Sequence, residues 1–236
     1  MAKSKPLRDK LASARLPGAP RAPVERARRM LLATFEAAKR AGAGEDAMVR
    51  DLAAGTAAMR IGGAELEREA AGGLFDGAAC GAGCAWCCII GPDGPPLTRA
   101  EAEALHAALL PHAGAAPGTD WHPRACPSLD PATQRCRAYE RRPLICRAFL
   151  SSDPAACAEN AEGGDRPGAG VAGAQPVSLA AQALARAALL GEAKVSTYGL
   201  ARIAAAALAG QPLGEALKAA RQPPKALTDE LKRLGG

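Results

Sequence analysis

The chain has 236 residues, 48% of them apolar, which is enough to build a substantial core without disulfides. Aromatic residues make up only 3%, so that core must come from Ala, Leu, Ile and Val on closely approaching helices. The net charge of +6 is concentrated at one end: residues 1–42 hold eleven Lys or Arg against three acids, and the remainder nineteen against twenty-one. With no aromatic residues interleaved for base stacking, that basic stretch reads as a solvated terminus rather than a nucleic-acid surface. No uninterrupted apolar run reaches 18 residues, which excludes a helical membrane span.

Residues 1–23 carry Pro6, Pro17, Pro20 and Pro23 and are expected to form a disordered basic tail. They also lack the apolar stretch and cleavage pattern of a secretory signal, so the expected compartment is the cytoplasm. Val24, Ala27, Leu31, Phe35 and Ala38 recur at helical spacing, so a helix should begin near Val24 and end at Gly42 and Gly44. A second helix is expected over 45–60, interrupted at Gly62-Gly63, with a short continuation to Ala71. A Gly-rich loop then carries Cys80, Cys84, Cys87 and Cys88, and Cys88-Ile89-Ile90 suggests a short extended piece before the turn at 91–96. Thr98-Arg99-Ala100-Glu101 is a capping box, opening a helix that buries Leu105 and Leu109 and closes at Pro111.

Beyond it, Cys126, Cys136, Cys146 and Cys157 lie on chain broken by Pro127, Pro131, Pro143 and Pro154, each of which pushes the preceding residue out of the helical region. Only 136–141 has room for a turn or two of helix. Residues 160–176 have the composition of a flexible linker. Three Ala-rich helices should follow over 178–190, 196–209 and 212–221, with Thr228 capping a last short one. The expected fold is mainly α: a helical domain over 24–159 with an irregular cysteine-rich metal-binding core, the linker, and a helical extension over 177–236.

All eight cysteines fall into the two groups, and in a reducing cytosol such density reads as metal ligation rather than disulfides. Thiolates suit zinc and iron–sulfur clusters. Only Cys84-x2-Cys87 has zinc-knuckle spacing; the second group, at intervals of nine or ten residues, must be gathered by the fold. Cys87 and Cys88, being adjacent, point in different directions on a regular backbone. The spacing Cys80-x3-Cys84-x2-Cys87 also matches the cluster motif of radical S-adenosylmethionine enzymes, but the alternating strands and helices of their barrel are lacking. His122, four residues before Cys126, reads as a loop histidine; His106 and His112 belong to the capped helix and its end. Asp130, Glu140 and Asp153 are expected to make turns and helix surface rather than to do acid–base work.

CGAGCAWCC, PLTRAEAEAL, CPSLD and CRAYERRPLICRAFLSSDPAAC together resemble the YkgJ-type cysteine-cluster family, described as a zinc- or iron-chelating domain. The most specific piece is Cys136-x2-Tyr139-x2-Arg142-Pro143-x2-Cys146-Arg147. Two departures stand out: three residues rather than two separate Cys80 from Cys84, and Ser128 stands where a bulky apolar residue is usual. The resemblance implies a bacterial cytosolic metal-binding protein. Its similarity to flagellin lysine methylases implies an iron–sulfur centre such as 4Fe-4S ahead of zinc, with methyl transfer to a protein side chain as an alternative. A non-enzymatic alternative is a zinc-stabilised protein-interaction module, with the helices of 177–236 or the basic tail contacting a partner. Cys80, Cys84, Cys87, Cys88, Cys126, Cys136, Cys146 and Cys157 are the candidate ligands. Tyr139, Arg142 and Arg147 are candidates to contact the centre, the two arginines by favouring thiolate and offsetting cluster charge. The expected partners are the metal or cluster and a protein, not nucleic acid or membrane.

Overall fold

The computed structural model describes residues 5–81 and 83–235, and over them the chain is mainly α-helical. The first four helices are α1 (Leu7–Ser13), α2 (Arg21–Arg40), α3 (Glu45–Ala54) and α4 (Thr56–Ala71). The cysteine region contributes β1 (Pro96–Leu97), α5 (Arg99–Leu109), α6 (Leu144–Ala148), β2 (Phe149–Ser151), α7 (Pro154–Ala161) and β3 (Ala169–Val171). The chain closes with α8 (Ala174–Ala188), β4 (Tyr198–Gly199), α9 (Leu200–Leu208), α10 (Leu213–Ala219) and α11 (Pro224–Gly235). The strands form two antiparallel ribbons, β1 with β4 and β2 with β3. These short pairs were not legible in the sequence.

The axis of the first core is α8, of whose fifteen residues thirteen are buried, as expected of a helix that is apolar nearly all round. Around it pack Leu7, Leu11, Val24, Leu31, Leu52 and Ile61 from the amino-terminal helices, and Leu227 and Leu231 from α11. This overturns two expectations drawn from composition. The basic stretch is not an irregular tail from Lys5 onward: α1 buries Leu7 and Leu11 to 1% exposure, contributing about 1.5–3 kcal/mol each. Residues 1–4 lie outside the described residues. Nor do the carboxy-terminal helices form an appendage. The stretch expected to be a linker contains β3 and the first turn of α8, and the helices after it are shared between two cores. Composition marks Gly and Pro density, but it does not reveal which Ala-rich face a helix will meet.

The second core joins α5 to α9 and α10 through Leu97, Leu105, Leu109, Leu200, Ile203 and Leu217. The β1–β4 ribbon, with Pro96 opposite Gly199 and Leu97 opposite Tyr198, clamps the start of α5 to the start of α9. A third, smaller cluster sets Leu66 of α4 against Leu144 and Ala148 of α6 and Ala172 and Ala174 beyond β3.

The expected break at Gly62-Gly63 is at Gly55 instead. Gly55 adopts a left-handed φ of 84°, ending α3 and starting α4, and α4 runs straight through both later glycines. Gly62 is needed for close packing: a Cβ there would sit 2.2 Å from Leu144 Cδ2 and 2.8 Å from Ser178 Cβ. At Gly63 nothing lies within 4 Å. The two substitutions are therefore expected to diverge in a urea unfolding series. Gly62→Ala should cost about 1–3 kcal/mol by overpacking, while Gly63→Ala should add about 0.5–1 kcal/mol by removing helix-interior glycine entropy. Equal effects of the two would refute the assignment.

Candidate metal centre

The loop carrying the first four cysteines is held at both ends. Ala79 N–H donates to Ser151 O (2.8 Å), tying its start to β2, and a 3-10 turn over Trp86–Cys88 ends it. That turn is sewn to the second cysteine segment. Cys126 N–H donates to Cys88 O (2.7 Å), and the N–H groups of Ile90 and Gly91 both donate to Arg124 O (3.0 and 2.9 Å). Trp86 packs on Trp121 with ring centroids 5.7 Å apart, closing the two segments on their outer side. Gly118 permits the approach, since a Cβ there would meet Cys126 O at 2.2 Å.

The second segment doubles back at residues 130–135. Asp130 Oδ1 accepts the N–H groups of Ala132 and Thr133, each at 3.0 Å, and Asp130 Oδ2 pairs with Arg137 at 3.1 Å. Leu129 then bridges Cys136 across the turn, which places Cys126 and Cys136 on neighbouring strands of chain. Cys146 sits in α6, whose first N–H, that of Leu144, donates to Glu101 Oε1 at 3.0 Å. The other oxygen of the same carboxylate accepts the N–H and hydroxyl of Thr98, both at 3.0 Å, so the capping box expected from the sequence also caps a second helix. Cys157 is buried on α7, whose amino terminus is capped by Asp153.

Six thiols, those of Cys84, Cys87, Cys88, Cys126, Cys136 and Cys146, line one cavity of about 560 Å3. Cys80 lies outside its wall, exposed, with its Sγ donating to Ser151 O at 3.7 Å. All eight cysteines are free thiols. Among the described residues no three His, Cys, Asp or Glu side chains already form a group that could hold a metal ion. The thiols share a chamber, not a preformed cage.

Their electrostatics divide them into two sets joined at Cys87. Burial pushes the Cys146 thiol well up, and charge on Cys126, Cys136 and Cys87 adds to it. Burial also raises Cys126, to about 11, against the opposing hydroxyl and N–H of Ser128, and it raises Cys136 against Ala138 N–H and Arg142. Cys84 is raised by burial and then by Cys87, Cys80 and Cys157. Cys87 goes the other way, to about 7, because the Cys88 thiol donates to it and Arg142 adds positive charge; Cys88 accordingly holds its proton.

The other expected residues separate. Tyr139 and Arg142 line the cavity, with the Arg142 guanidinium 3.6 Å over the Tyr139 ring and its Nε donating to Tyr139 O at 3.0 Å. Arg147 is exposed and is not part of the lining. His122 turns to Glu162 (3.2 Å) and His106 to Gln211 O (2.8 Å), in keeping with their ordinary readings. Sequence reasoning missed Gln134 and Arg135 on the wall. Gln134 has a φ of 54°, the one positive value outside glycine among the described residues, and no residue pattern announces it.

The comparisons bear on this same segment. A family model described as "Putative zinc- or iron-chelating domain", with the signature CxxCxxCC, matches residues 79–166. The match covers less than half of the chain but spans all eight cysteines, both loops and α7. No curated protein and no solved structure matches the chain. Every residue that lines the chamber except Leu200 thus lies in the stretch similar to a zinc- or iron-chelating domain.

Proposed function

We propose that this protein binds an iron–sulfur cluster through its cysteines in a reducing cytoplasm. The carrying observation is the convergence of six thiols, from two separate chain segments, on one chamber of about 560 Å3. A single zinc needs four sulfurs about 2.3 Å from one point, hence about 3.8 Å from each other. Six thiols spread round a chamber of this size suit a polynuclear centre, whose sulfur ligands bind different irons. Cys88, Cys126, Cys136 and Cys146 are the main set in this reading. Cys80, Cys84 and Cys157 form a second set, and Cys87 stands between them. Arg142 offsets the negative charge that ligation would concentrate, since its positive charge already favours thiolate at Cys87 and Cys136. Ser128 favours thiolate at Cys126 by hydrogen bonds from its hydroxyl and N–H.

When bound, such a centre would supply electron transfer or Lewis-acid chemistry; the chain itself supplies the thiolates, the positive charge and an apolar wall. A second reading, cluster-dependent modification of a protein side chain such as lysine methylation, is favoured by one observation: the cavity has more room than a metal centre fills.

Two outcomes follow. Protein purified without oxygen should be brown, with absorption near roughly 400 nm from thiolate-ligated iron, and should contain iron and acid-labile sulfide. A colourless protein with stoichiometric zinc would replace iron–sulfur with zinc. Protons also compete with metal for buried thiols such as Cys126, whose pKa is about 11 in the metal-free chain. Metal affinity should therefore rise with pH from 6 to 9 and fall on acidification, as measured by chelator competition. A flat profile would mean that Cys126 and its buried neighbours are not ligands.

A further inference from the structure

The chamber has features that its thiols do not explain. Eight cluster atoms, each allotted the ~30 Å3 share of a water molecule, occupy ~240 Å3, less than half of the 560 Å3 available. The remaining wall is apolar, built from Ile90, Leu105, Ile145, Phe149 and Leu200, and no Asp or Glu lines it. The charged groups of the lining are Arg135 and Arg142. Neither has a carboxylate partner among the described residues, so both guanidinium charges are left for a ligand of the chamber.

The two arginines differ in what they act on. Arg142 influences Cys87, Cys136 and Cys146, so part of its role is explained by the thiols. Arg135 figures in the environment of no shifted thiol, and it lines the cavity while remaining exposed to solvent. It follows Gln134, whose left-handed backbone costs about 1–2 kcal/mol in a residue with a Cβ. With its amide turned to donate to Gly83 O (3.0 Å) and accept from Trp121 Nε1 (2.7 Å), Gln134 fixes that conformation against the first cysteine loop.

We propose that the chamber takes, beside the metal centre, a small organic anion, with its apolar body against Leu105, Ile145, Phe149 and Leu200 and its acidic group on Arg135 and Arg142. The placement of thiols and ligand in one chamber rests on the metal reading; the recognition of an anion rests on the arginines alone. Guanidinium forks match both carboxylate and phosphate.

The test is calorimetric titration of 8-anilinonaphthalene-1-sulfonate, an anion on an apolar body, into anaerobically prepared protein of known metal content. One-to-one binding is expected, weakened at least tenfold in the Arg135→Gln/Arg142→Gln double variant, with Arg202→Gln as a surface control that changes nothing. Hexanoate or hexyl phosphate should displace the probe where hexanol does not, and the more effective of the two identifies the head group. Displacement by hexanol as efficient as by either anion would overturn the proposal. So would binding within twofold of the parent in the double variant, or no binding to fully metallated protein. A sample that holds no metal yet binds the probe through these arginines would overturn the metal reading and leave this one standing.

Discussion

One buried carboxylate couples the helical scaffold to the thiols. Glu101 is 9% exposed, and its two oxygens serve two helix starts: Thr98 at the head of α5, and Leu144 at the head of α6. Cys146 is two residues beyond Leu144, so its position is set by α5, which is itself clamped to α9 by the β1–β4 ribbon. A hydrogen bond to a charged acceptor contributes about 1.5–3 kcal/mol. Here the larger effect is directional: α6 has one turn of helix and would not hold its orientation by propensity alone. The chamber keeps its shape only while α6 stays where Glu101 holds it.

The rest of the site is loop, and loops place side chains well only where their backbone polar groups are accounted for. That accounting is visible in the bonds from Cys126, Ile90 and Gly91 across to Cys88 and Arg124, and in the Asp130 turn. The thiols of this region thus hang on a frame of backbone hydrogen bonds that does not depend on their side chains. A frame of that kind can present thiols to a centre without already enclosing one.

How much of this was legible in the sequence depended on how local the signal was. The capping box at Thr98 and Glu101 is read from four consecutive residues and is present as expected. The mainly helical character follows from Ala abundance with few β-branched residues. The two cysteine groups pointed to loops that close over one centre or two adjacent ones, because their spacing fitted no self-contained finger; in the structure six of the eight thiols line one cavity. What could not be read was long-range. That Glu101 reaches Leu144, that Gly62 faces Leu144 and Ser178, and that Leu7 and Leu11 share a core with Leu227 and Leu231 are facts of packing between distant segments. Gln134 was invisible for another reason, since a left-handed glutamine has no compositional mark and is held there by Gly83 and Trp121.

The sharing of the first core between the two ends of the chain has a kinetic consequence. Helix α1 and helix α11 pack on the same α8, so the core that holds Leu7 cannot close until Leu231 has been synthesised. Contacts of such sequence separation slow folding, because loop closure must precede their reward. The cysteine region lies between these ends and leans on α9 and α10, which emerge late as well. During synthesis its thiols are therefore out in solvent before their chamber exists. On the proposed reading, orderly loading of metal falls after Leu231 has been synthesised, when the frame that presents the thiols has been assembled.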